Sequence, residues 1–128
     1  MEHNGDEIIM RYTDSHEWVE VNGAEGKIGI SSHAQKELGE AVYIELPRIG
    51  EIVEKGKEVA VIESTKAAAD IYSPVSGKVV AVNQRLKEDL SLLNNSPEKE
   101  GWICKITLSN PNEIEELLDP TSYLSIFS

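Results

Sequence analysis

Apolar and polar residues alternate with a period of two through much of this chain, and the pattern is sharpest between Glu58 and Ser73. There Val59, Val61 and Glu63 point one way and Ala60 and Ile62 the other, with no helix-period spacing on either flank. The run Glu58–Glu63, the four residues Ser64-Thr65-Lys66-Ala67 and the run Ala68–Ser73 predict a tight β-hairpin with Lys66 at its tip. Gly56 lies ten positions before Lys66 and Gly77 eleven after it, so the two arms match in length. Pro74 removes a backbone donor and Gly77 supplies a permissive residue, which ends the second arm.

Shorter strands are predicted at Glu17–Val21, Gly26–Ile30, Val42–Leu46, Ile52–Val53, Lys78–Val82 and Ile103–Leu108, each bounded by turn residues. Many short strands at this spacing argue for a mainly β fold, a flattened antiparallel sandwich or barrel. One short helix is predicted near residues 32–39, over His33–Leu38, with Ser32 and Gln35 at the spacing of a capping box. Another follows Leu108, with Asn110 as cap, Pro111 at the first helical position, and Ile114, Leu117 and Leu118 on one apolar face. Tyr123–Phe127 reads as a last helical turn. Residues 87–101, with Asn94, Asn95, Ser96 and Pro97, read as a surface loop with at most a single turn. The organisation expected is a flexible tail over residues 1–10 and one domain over 11–128.

Charge narrows the partners. The 128 residues hold 12 Lys+Arg against 23 Asp+Glu, a net charge of −11, which repels nucleic-acid phosphates and anionic lipid and suits basic partner surfaces. No apolar stretch approaches the ~20 residues needed to cross a bilayer. Residues 1–10 contain Glu2, Asp6 and Glu7 but no Lys or Arg, opposite in charge to a targeting segment, so a cytoplasmic protein is expected. Cys104 is the single cysteine and lies in an apolar strand, which points to packing rather than redox chemistry. The three histidines are dispersed and show no metal-ligand spacing, so no metal is expected; Trp18 is expected to pack, with His16 at its rim. Phosphate-binding glycine loops, zinc-type Cys/His spacing and a serine nucleophile elbow are all missing from the sequence, so a non-catalytic protein is expected.

The chemistry-bearing candidate is therefore Lys66. An ordinary lysine has a pKa of ~10.4 and is almost wholly protonated at pH 7, so acylation needs an enzyme that reaches the amine and takes its proton. A hairpin tip gives that access, while the ladder bonds keep the tip from folding away.

Glu63-Ser64-Thr65-Lys66-Ala67, followed by Ser73-Pro74-Val75-Ser76-Gly77, resembles the lipoyl-attachment segment of the H-protein family of the glycine cleavage system. The resemblance extends to Ser15-His16-Glu17-Trp18-Val19, Ile28-Gly29-Ile30-Ser31, His33-Ala34-Gln35, Leu38-Gly39-Glu40, Tyr43-Ile44-Glu45-Leu46-Pro47, Glu100-Gly101-Trp102 and Asn110-Pro111-Asn112-Glu113. Two positions depart from the family pattern: Thr65 where valine is usual, and Ala69 where serine is common.

The resemblance implies a lipoyl/biotinyl-type barrel-sandwich with C-terminal helices, and lipoate joined to Lys66 by a lipoate ligase or lipoyl transferase. Glu63, Ser64, Thr65 and Ala67 would form the attachment motif, and Ser15, Glu17, His33 and Asp70 the dock for the arm. It further implies a monomeric carrier that visits a pyridoxal-dependent glycine decarboxylase, a tetrahydrofolate-dependent aminomethyltransferase and a dihydrolipoyl dehydrogenase. A lipoate relay serving other lipoyl proteins uses the same lysine, and an unmodified acidic scaffold is the alternative from another class. A biotin carrier fits less well, because biotin sites place methionines on both sides of the lysine and here Thr65 and Ala67 flank it.

Overall fold

The computed structural model describes residues 8–127. Among these residues nine strands run in chain order as β1 (Ile8–Tyr12), β2 (Glu17–Asn22), β3 (Glu25–Ile30), β4 (Ala41–Glu45), β5 (Ile52–Val53), β6 (Glu58–Ser64), β7 (Ala68–Tyr72), β8 (Gly77–Val82) and β9 (Cys104–Leu108). The helices are α1 (Ser32–Leu38), α2 (Arg85–Glu88), α3 (Ser91–Asn95) and α4 (Pro120–Phe127), with a 3₁₀ helix at Pro111–Glu116. The strands form a six-stranded sheet in the order β1-β2-β3-β9-β8-β5 and a three-stranded sheet in the order β4-β6-β7. Every pairing is antiparallel.

The core lies between the sheets, where Val19, Val21, Ile28, Ile62, Val79 and Ile106 are buried. The predicted hairpin forms as β6 and β7, joined by Thr65-Lys66-Ala67. Its alternation differs from the simple pattern in one place. A register shift between Glu58 and Ala60 makes Val59 an extra residue, so Val59 and Ala60 are both buried while Val61 stays partly exposed.

The six-stranded sheet is covered on its second face as well, by a cluster of Tyr12, Trp18 and Tyr123 with Leu118 and Phe127 packed against it. Consecutive residues Glu17, Trp18 and Val19 are consequently all buried. The Trp18 indole donates to the carbonyls of Ile30 (2.8 Å) and Pro97 (3.1 Å). Its ring lies over Gly29, its cross-strand partner, where a Cβ would come within 2.5 Å of the indole. Cys104 is wholly buried, and burial pushes its thiol pKa up to about 12.

Several expected elements take a different form. Residues 8–10, assigned to the tail, belong to β1 and pair with β2, while residues 1–7 of that tail lie outside the described residues. The capping box of Ser32 and Gln35 does not form. Ser31 is the N-cap, its extended backbone letting Oγ accept from the Ala34 amide at 3.1 Å, and Gln35 Nε2 donates to the Gly39 carbonyl instead. Asn110 makes no side-chain cap, and the apolar face does not run as a helix through Leu118: the helix is 3₁₀ and stops at Glu116, and Leu118 exchanges backbone bonds with Tyr12 at 2.8 and 2.9 Å. Residues 87–101 are not one loop: α2 runs into them as far as Glu88, and α3 inserts Leu93 into the core.

Replacing Gly29 by alanine forces the indole off the strand or the strands apart, so Gly29→Ala is expected to cost about 1–3 kcal/mol in urea unfolding. An unaltered midpoint would show that Trp18 is free to move.

Candidate functional site

The turn between β6 and β7 is built by one hydroxyl. Ser64 Oγ accepts from the amides of Lys66 (3.0 Å) and Ala67 (3.1 Å) and lies 3.1 Å from the Ala67 carbonyl, to which it donates, while the Ser64 amide donates to the same carbonyl at 2.8 Å. Thr65 donates its amide to the Glu40 carbonyl at 3.1 Å, which ties the tip to the segment after α1. Glu63, Thr65, Lys66 and Ala67 are all exposed. Among the described residues no carboxylate stands within ion-pair distance of the Lys66 amine.

Gly39, at the end of α1, shapes the space beside that amine. Its φ of +86° favours glycine, and a Cβ there would lie 3.2 Å from Lys66 Cε and 3.7 Å from Nζ. The lysine stem rests across this bare backbone.

Three of the four predicted docking residues converge. Ser15, Glu17 and Asp70 line one cleft of about 280 Å³ together with Ala34, Glu37 and Ala69. Its β7 wall begins at Ala69, three residues from Lys66, and it runs between β7 and α1. A larger recess of about 500 Å³ lies at the other end of the hairpin, against Tyr72, Ser73 and Pro74, and is farther along the strand from the amine. His33 is not among the cleft-lining residues, but it pairs with Glu37, which is, at 2.7 Å.

The docking candidates differ in what they have free. Glu17 is buried, and its Oε1 accepts from the hydroxyls of Thr13 and Ser15, both at 2.6 Å, while Oε2 accepts from the Tyr72 amide at 3.3 Å. It is a strut between the β1–β2 turn and the hairpin. The sequence carried a signal for this, because Glu17 shares its strand face with Val19 and Val21. Asp70 is exposed on β7, where its backbone pairs with Val61, and its side chain makes no hydrogen bond among the described residues, so its carboxylate is available as an acceptor.

A primary amine can form an amide, the tip is open to an enzyme, and an acceptor-lined cleft adjoins it. These residues fit an acyl arm attached at Lys66 and folded back along β7.

The glycine cleavage H-protein family model matches residues 10–128. The glycine cleavage system H protein of Thermotoga maritima is 49% identical over 115 residues, covering 90% of this chain and 93% of the relative. A mitochondrial glycine cleavage system H protein of Arabidopsis thaliana is 50% identical over 114 residues, covering 89% of this chain and 73% of that one. The crystal structure of a glycine cleavage system H protein from Mycobacterium marinum superposes with a TM-score of 0.82 at 30% identity, over 97% of this chain and 98% of the other.

Removing the turn hydroxyl with Ser64→Ala is expected to quicken amide hydrogen exchange at Lys66 and Ala67 several-fold, at a global cost of about 0.5–1.5 kcal/mol. Unaltered exchange at both amides would show that the β-ladder alone fixes the turn.

Proposed function

The chain belongs to the glycine cleavage H-protein family, a carrier component of the glycine cleavage system, and on that footing we propose that Lys66 bears lipoate and presents it in turn to the enzymes of that system. The partners in this reading are a lipoate ligase or lipoyl transferase, the pyridoxal-dependent glycine decarboxylase, the tetrahydrofolate-dependent aminomethyltransferase and dihydrolipoyl dehydrogenase. Attached lipoate supplies a dithiolane able to carry an aminomethyl group and to be oxidised again.

The observation that carries the proposal is an exposed amine, without an ion-pair partner among the described residues, on a turn held by four hydrogen bonds about Ser64, with a cleft three residues away. Fixing the tip keeps the attachment point in one place, so the reach of the arm is set by the arm alone. Asp70 offers the free carboxylate for a protonated amine in the cleft, a charge-assisted contact. Glu17 holds Ser15 and the Tyr72 amide in position, with most of its acceptor capacity already committed to them and to Thr13. His33 does not line the cleft and reaches it only through Glu37, with which it pairs. The cleft walls of Ala34 and Ala69 exclude water from part of the arm's surface. The lipoate-relay alternative uses the same lysine and draws no separate support from the fold or the relatives.

Intact mass of the protein from lipoate-replete cells is expected to show a single lipoyl adduct, mapped by peptide analysis to Lys66. Lys66→Arg is expected to fold normally and to stay unmodified, with glycine–bicarbonate exchange by the decarboxylase reduced to background. An adduct on another residue, or exchange retained in Lys66→Arg, would overturn the assignment.

A further inference from the structure

We propose that His16, His33 and Glu37 form a three-ligand site for a divalent transition-metal ion of the Zn²⁺ class. The three ligands are supplied by the chain whether or not Lys66 is acylated, so this site and the lipoyl reading fail independently. His33 and Glu37 stand one helical turn apart on α1, with Nε2 and Oε1 2.7 Å from each other. His16 comes from the β1–β2 turn, where its backbone has φ +75°, and its Nε2 lies 3.8 Å from the same Glu37 oxygen. The three ligand atoms all lie within 4.8 Å of one another.

Tetrahedral zinc with bonds of ~2.1 Å sets its ligand atoms about 3.4 Å apart. The two His–Glu37 separations bracket that value and the third pair lies within 4.8 Å, so side-chain rotations bring the three atoms to an ion. A helical His–Glu pair needs no third member. What it does not explain is a second imidazole from another element, tilted 34° to His33 with ring centroids 4.3 Å apart and with its Nε2 3.8 Å from the same carboxylate oxygen. The far side of His16 is oriented as metal-bound histidines are: Nδ1 lies 2.7 Å from the Tyr123 hydroxyl, which lies 2.8 Å from Ser31 Oγ. In the tautomer that donates Nδ1–H to Tyr123, Nε2 presents its lone pair to the ion. Two histidines and a glutamate are a known donor set for zinc with a fourth position open to water or another ligand. His16 and Glu37 also line the 280 Å³ cleft, so a bound ion would border that space. Side-chain exposures of 18% for His16, 39% for His33 and 63% for Glu37 leave the ion a way in.

The test is a titration of the unlipoylated chain with ZnCl₂ against a chromophoric chelator, alongside thermal unfolding with ZnCl₂ and with EDTA. One Zn²⁺ per chain is expected, together with a rise in melting temperature that EDTA reverses. His33→Ala, Glu37→Gln and His16→Asn should each weaken binding at least tenfold and abolish the thermal shift. Asparagine is chosen at position 16 because it tolerates positive φ, and melting in EDTA reports whether each variant is folded. His3→Ala, outside the described residues, should bind as the unaltered chain does. The site is refuted if any of the three ligand variants, shown to be folded, binds Zn²⁺ as tightly as the unaltered chain, or if His3→Ala alone removes binding.

Discussion

The ladder between β6 and β7, closed at its tip by the Ser64 hydroxyl, is the interaction on which the position of Lys66 rests. β6 is paired on both edges, to β4 and to β7, and Ile62 anchors it in the core, so the strand that leads to the turn cannot fray on its own. The turn is then fixed from a third side by the bond from Thr65 to Glu40. Rigidity of the support and exposure of the amine are compatible because every one of these contacts is made by backbone or by a neighbour, and none by the lysine head group.

The same economy governs the cleft beside it. A buried carboxylate is costly unless it is hydrogen-bonded, and Glu17 satisfies both of its oxygens with two hydroxyls and an amide drawn from separate elements. Its burial therefore welds the β1–β2 turn to the hairpin and leaves Asp70 as the acceptor that faces solvent. On the opposite face of β2, Trp18 fills the hollow over Gly29 and Tyr123 joins α4 to Ser31 and His16. The two faces of this one strand thus hold the hairpin on one side and α4 on the other.

Much of this was legible in the sequence. The hairpin and most strands follow from period-two spacing and turn residues, and the lysine from its symmetric glycines. What was missed has physical causes. Ser31 and Ser32 are equally good caps on paper, and only the extended backbone at Ser31 decides between them. β1 has no clean alternation in Ile-Ile-Met-Arg-Tyr and gains its place by pairing with β2. α2 and α3 are too short to be stable by propensity, and they exist because Leu86 and Leu93 are buried. The meeting of His16 with His33 spans a strand pair and a turn with positive φ, which spacing along the chain does not encode.

Cys104 gives the fold a further property. A dithiolane opens when a thiolate attacks one of its sulfurs, and the rate depends on how much thiolate is present and whether it can be reached. The single sulfhydryl of this chain is sealed in β9 with its acidity suppressed by burial, so it offers neither. On the proposed reading, a lipoyl arm on Lys66 would meet no thiolate of its own chain among the described residues, and sulfur exchange would be left to partner enzymes.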